Sequence, residues 1–140
     1  NEYEYDLTGK DTTKKVLTNA RLNTGTLRSV ALSRDDNKCL LCELSDSRLL
    51  VCSHIKPWRT GESRLDKNNV LTLCSIHDAL FDKGFIAFSD DGKVLYSEND
   101  IFDSEIMKSI KNVTNDRLRC SNYDKMKENF QYHRENIFLV

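Results

Sequence analysis

Two short pairs, Cys39-Leu-Leu-Cys42 and Cys74-Ser-Ile-His77, have the residue types and spacing to hold a metal. Thiolate and imidazole bind zinc tetrahedrally, and a turn of this length brings two ligands to about 2.3 Å from one ion without strain. The 31 residues between Cys42 and Cys74 suit a site that closes an inserted loop. The competing reading has Cys74 packing as a small apolar residue and His77 on the surface. Cys52 and Cys120 have no partner at ligand spacing and are expected to be buried thiols. Five cysteines, an odd number with one CxxC pair and no signal-peptide pattern, favour reduced thiols over a disulfide framework.

Three further polar residues fall in the same stretch: His54, Asn69 and Asp78. Hydrolysis of a phosphodiester needs a base for water, a divalent cation on the phosphate and a group that holds the base in place. Histidine suits the first role, a carboxylate the second and an asparagine side chain the third. Each also has an ordinary reading, as a hydrogen-bonded histidine, a turn residue and a helix first-turn acid. Spacing alone leaves the two sets of readings even.

The elements that would position these residues can be read in order. Thr26–Ser33 carries Leu27, Val30 and Ala31 at one-turn spacing and predicts a helix, with Arg28 and Arg34 solvated upon it. Arg48–Ser53 is a short apolar run and predicts a strand, which Pro57 keeps from extending past Lys56. A polar loop over 60–69 leads to a second apolar segment, Val70–Cys74, and a helix is expected from Ser75, stopped at Gly84 by a left-handed cap. Two strand-like runs around Ser89-Asp90-Asp91-Gly92 predict a hairpin. Helices follow over Asp103–Lys111, with Ile106 and Ile110 four apart, and over Tyr123–Asn136, with Met126, Phe130 and His133 on one spacing. A short helix is also expected over Lys14–Asn19, inside a loosely held arm.

At 140 residues, 39% hydrophobic and 31% charged, the chain fits one globular α+β domain over 26–140, with its core in 39–84 and an arm over 1–25. No apolar run approaches the roughly 18 residues of a membrane span, and a cytoplasmic location is expected. The absence of an initial Met leaves a processed chain or an excised part of a longer protein open. Net charge is −1, so composition makes no global argument for nucleic acid. Charge is uneven, however. Residues 48–67 hold five Lys or Arg against two acids, and residues 105–134 hold seven against four. Between them, residues 89–104 carry five acids and one Lys. A polyanion would be drawn to the first two stretches and repelled by the third.

Several motifs in one order resemble the HNH endonucleases. These are Cys39-x-x-Cys42, Ser53-His54-Ile55-Lys56-Pro57-Trp58, Leu65 to Cys74 with Asn69, and His77-Asp78-Ala79-Leu80-Phe81-Asp82-Lys83-Gly84. The resemblance is closest to a restriction-endonuclease branch with an S-H-I-K-P-W motif. Tyr132-His133-Arg134-Glu135-Asn136-Ile137-Phe138 extends it, although spacing alone makes His133 and Arg134 exposed helix residues. What the resemblance implies is a ββα-metal core in a metal-dependent DNA endonuclease, with structural zinc at Cys39, Cys42, Cys74 and His77. His54 is then the general base, Asn69 braces the loop around it, and Asp78 holds Mg²⁺ or Mn²⁺ where the family usually has histidine. Ser53 stands where most members place a metal ligand, and a hydroxyl is a weak ligand. Lys56, Arg59, Arg64 and Lys83 are the candidate phosphate contacts, while Trp58 is expected to pack. DNA is the implied partner, and a homodimer or further domains are compatible with it. The competing reading is a zinc-stapled nucleic-acid-binding module without cleavage. A purely structural zinc domain would leave His54 and Asn69 as coincidence.

Overall fold

The centre of the fold is a two-stranded antiparallel ribbon, β1 (Leu50–His54) and β2 (Val70–Cys74), with Leu50 opposite Cys74 and His54 opposite Val70. The computed structural model describes residues 25–57 and 65–140. The expected helix at Lys14–Asn19, and Trp58, Arg59 and Arg64, lie outside those residues. Every residue of β2 is buried, although an exposed-face strand would alternate. Cover on both faces explains this. Val70, together with Cys52 from β1, packs against Leu27 and Ala31 of α1 (residues 25–34). Leu71 and Leu73 face the main core with Leu80 and Phe81.

Helix α2 (Ser75–Asp82) begins where β2 ends and packs back against both strands. Its stop is the expected one. Gly84 has φ +78°, its N–H donates to the Phe81 carbonyl at 3.1 Å, and the Phe85 N–H donates to the Leu80 carbonyl at 2.9 Å. This pair of bonds satisfies the last carbonyls of the helix and needs a left-handed residue between them. A side chain at position 84 would collide with the Ile137 carbonyl, so the turn also receives the C-terminal segment.

The hairpin β3 (Ile86–Phe88) and β4 (Val94–Tyr96) forms around the expected turn. Helix α3 (Glu105–Val113) follows a 3-10 turn at Asp100–Asp103. It buries no residue fully: Met107 and Ile110 pack partly on the core, while Ile106 is 71% exposed, against the apolar stripe read from its spacing. Helix α4 (Tyr123–Asn136) buries Met126, Phe130 and His133.

Three expectations for polar residues change with the fold. Arg28 and Arg34 are tethers and do not extend into solvent. Arg28 donates to the Leu50 and Ser47 carbonyls, and Arg34 to Asp35 and to the carbonyls of Lys67 and Val70. His133 is 1% exposed, stacks on Phe81 at 3.9 Å and donates from Nε2 to the Phe81 carbonyl at 2.8 Å. Arg134 donates to the Phe88 carbonyl and pairs with Asp90. The fourth change concerns a thiol: Cys52 is buried as expected, but Cys120 only partly so.

Burial pushes the His133 imidazole down to about 4. An unfolded histidine titrates near 6.5, so between these values the unfolded chain binds more protons. The stability from neutral His133 should be complete above pH ~6.5 and decline as pH falls towards about 4, by roughly 2–3 kcal/mol. Urea unfolding across this range should show the decline, and His133→Gln should flatten it.

Candidate active site and metal centre

Cys39, Cys42, Cys74 and His77 converge: their ligand atoms all lie within 4.8 Å of one another. Cys42 Sγ is 4.0 Å from Cys74 Sγ, and His77 Nδ1 is 3.6 Å from Cys39 Sγ and 3.2 Å from Cys74 Sγ. A tetrahedral zinc with bonds near 2.3 Å to sulfur and 2.0 Å to nitrogen has ligand–ligand edges of roughly 3.6–3.8 Å. The donor set therefore fits a structural zinc in chemistry and in size. Cys39 and Cys74 are buried, as is His77, which closes the site to solvent on most sides.

Local structure prepares the ligands. The Leu41 N–H points at Cys39 Sγ at 3.4 Å, while Cys74 caps α2 by accepting from the His77 N–H at 3.5 Å. Amide donors and a helix N-terminus both favour thiolate. Cys74 is accordingly pulled well down, first by the Cys39 thiol that donates to it and then by His77. Sharing that proton, together with burial, pushes Cys39 up, and burial pushes Cys42 up. The protein's own groups thus favour one thiolate among three thiols, and a divalent cation supplies the charge that lets all three ionise.

The imidazole is oriented by a residue that sequence spacing did not mark. Thr114 Oγ1 donates its single proton to the Ile110 carbonyl at 2.6 Å, so it must accept from His77 Nε2 at 2.8 Å. The proton of His77 is then on Nε2, and the Nδ1 lone pair faces the thiols. A hydroxyl at the end of α3 has no distinctive sequence signal 37 residues from its histidine.

His54 ends β1, half-buried, with Val70 across the ribbon. The chain then turns over Ile55 and Lys56, and Asn69 spans this turn. Asn69 is 0% exposed; its Oδ1 accepts from the Lys56 N–H at 2.9 Å and its Nδ2 donates to the Lys56 carbonyl at 3.1 Å. Both backbone groups just past the histidine are fixed by one side chain. Asn68 is gripped in turn by α4, through Asn129 to its carbonyl and Asn122 to its side chain.

Asp78 lies in the first turn of α2, half-buried. Asp82, not singled out by spacing, follows four residues later on the same face. Partial desolvation, followed by the like charge of Asp78, pushes its carboxyl up to about 6, yet the residue as a whole is exposed and a cation can reach it. Ser53 shares the ribbon face of its cross-strand partner Leu71, the face that meets α2. It is 1% exposed, and its hydroxyl has no hydrogen-bond partner. Among the described residues, Cys39, Cys42, Cys74 and His77 form the only cluster of three or more thiol, imidazole or carboxylate ligands. Of the expected phosphate contacts, Lys56 sets its ammonium 5.0 Å from the Tyr132 ring centre, and Lys83 is exposed at the end of α2. No described helix is long and apolar enough to cross a membrane.

The family model described as HNH endonuclease matches residues 39–89, the stretch that holds both sites. Among solved structures, a "Modification dependent TagI restriction endonuclease" is similar in fold, with a TM-score of 0.51 and 18% identity over 77% of this chain. The match covers 36% of that protein, so this chain spans about a third of its length. Comparison with curated proteins gives no match.

Elemental analysis should find about one tightly bound zinc per chain, lost along with folding in Cys39→Ser. Thr114→Val should leave the four ligands in place and weaken zinc by on the order of tenfold in chelator competition, because His77 loses the acceptor that fixes its tautomer.

Proposed function

We propose that this chain, whose core is of the HNH endonuclease family, hydrolyses phosphodiester bonds in DNA with the help of a divalent cation. The single observation that carries the reading is the Asn69 side chain clamped across Lys56. A turn so heavily constrained holds the histidine before it at a set angle. A histidine so presented can take a proton from water, and such a base contributes roughly 10²–10⁴-fold. Asn69 is a positioning residue in this reading, acting through the backbone of Lys56.

Asp78 and Asp82 are the groups that would hold the cation. Two carboxylates one helical turn apart offer hard oxygen donors, the kind preferred by Mg²⁺ or Mn²⁺ over softer metals. Ser53 supports the same location: a buried hydroxyl without a partner costs about 1–3 kcal/mol, and a cation between β1 and α2 would give it one. When bound, the cation polarises the phosphate and offsets the charge that develops on it. Lys56 and Lys83 would neutralise flanking phosphates, as would Arg59 and Arg64. The zinc centre takes no part in chemistry; it locks the start of α2 to the ribbon. The protein of similar fold is a restriction endonuclease, and restriction is the biological setting we assign to this chain.

Plasmid cleavage with Mg²⁺ or Mn²⁺ tests the reading. His54→Ala should lower the rate at least ~10²-fold with zinc content unchanged. Asp78→Asn should raise the cation concentration needed for half-maximal cutting. Wild-type protein that binds DNA but cuts neither modified nor unmodified plasmid would favour the binding-only module.

A further inference from the structure

A cavity of about 640 Å³ opens between the end of α1, the turn before β2 and the start of α4. Four cationic side chains, Arg34, Lys67, Arg119 and Lys125, line it with two acids, Asp35 and Asp36. These charges are not equally available. Arg34 and Asp35 satisfy each other at 2.8 Å, and Arg119 leans towards Glu43 while donating to the Cys39 carbonyl. Lys67 and Lys125 are exposed and have no ion-pair partner among the described residues. Two unmatched ammonium groups thus point to an anionic occupant, with Asp36 the one unmatched acid.

Location narrows the choice of anion. Arg34 ties the cavity wall to the Lys67 and Val70 carbonyls at 2.7 and 2.8 Å, and Val70 is the cross-strand partner of His54. Opposite residues in an antiparallel pair are only about 5 Å apart, so the cavity adjoins the strand end that carries the base. Asn68 and Asn122, which line it too, are joined by a hydrogen bond of 3.3 Å. Asn122 occupies the cap position of α4 yet makes no side-chain cap bond. It forgoes a stabilising contact and holds the residue next to Asn69 instead.

We infer that this cavity is a phosphate subsite, in which Lys67 and Lys125 hold a backbone phosphate of DNA adjacent to the bond presented to His54. The inference rests on the nuclease reading and adds a second anchor to it. Consecutive phosphates along one strand are close, about 3.4 Å apart along the helix axis, so a strand at His54 must continue past one wall of the ribbon or the other. The two lysines make the α1–α4 side the favourable path. An occupant there also bears on Asn68, and through it on the Asn69 clamp.

Equilibrium binding of the full chain to a DNA duplex without added Mg²⁺ or Mn²⁺, at several salt concentrations, tests the subsite. The double variant Lys67→Ala/Lys125→Ala should raise Kd on the order of tenfold and reduce the salt slope by about 1–2, with thermal stability unchanged. Asp36→Asn should tighten binding. Asp36 sits at φ 60°, a conformation that asparagine accepts well, so the variant removes charge without straining the turn. Lys108→Ala, on α3 and away from the cavity, should bind as wild type. Wild-type affinity and slope in the double variant would overturn the subsite, as would an equal loss in Lys108→Ala, which would signify net charge alone. The two readings fail separately. Wild-type protein that binds DNA but cuts no plasmid would remove the nuclease assignment while the binding result stood, whereas normal binding by the double variant would remove only the subsite.

Discussion

A two-stranded ribbon with five residues a side cannot keep its form alone in water, and everything in this molecule depends on what covers and pins it. One face is covered by α1 through Leu27 and Ala31, the other by α2 through Leu80 and Phe81. Neither helix is long, so the cover needs fastening. The Cys39–Cys42 turn, the end of β2 and the start of α2 meet in a single Cys3His cluster suited to zinc. The same turn is held by backbone bonds as well, from the Leu40 N–H to the Thr72 carbonyl and from Asn115 and Arg119 back to Leu41 and Leu40. The metal centre therefore acts on a junction that the backbone already brings together.

The opposite end of the ribbon is fastened by polar side chains instead of metal. Asn69 holds the turn after His54, and α4 holds Asn68 through Asn122 and Asn129. Arg34 adds two carbonyl contacts on the α1 side. Polar bonds of this kind are directional, so they set the angle as well as the position of the turn after His54. The Cys3His cluster at one end and an amide network at the other leave β1 and β2 little freedom along their length. That rigidity is the physical reason a ten-residue sheet can support a site at all.

Much of this was legible in order along the chain. The CxxC and CxxH spacing picked out the four side chains that converge in the fold, because short turns dictate which side chains can share an ion. Arg48–Ser53 read as a strand from its apolar run, close to the observed Leu50–His54, and Gly84 as a helix stop from the left-handed turn it permits. His54 and Asn69 were singled out together, and the fold brings Asn69 to the residues just after His54. Less local facts were hidden. Thr114 is one hydroxyl among many in sequence, and its service to His77 depends on where α3 ends. His133 was expected to be an exposed helix residue; stacking on Phe81 and a carbonyl acceptor decided for the core. Ile106 went the other way, because no described residue covers the outer face of α3.

By itself, the sequence determined the elements and the ligands whose geometry is set within a few residues: the cysteine turns, the strand runs, the helix cap, and the histidine at a strand end. Those features follow from short-range sterics and coordination chemistry, which act before any long-range contact forms. Tertiary structure alone decided which nitrogen of His77 faces the thiols, that Ser53 turns its hydroxyl into a buried face, and that Asn122 gives up a helix cap to grip Asn68. Each of these depends on groups far apart in the chain being packed together. Spacing in the chain does not encode that meeting; it is created where α2 covers the ribbon, where the end of α3 reaches His77, and where α4 packs on the turn before β2.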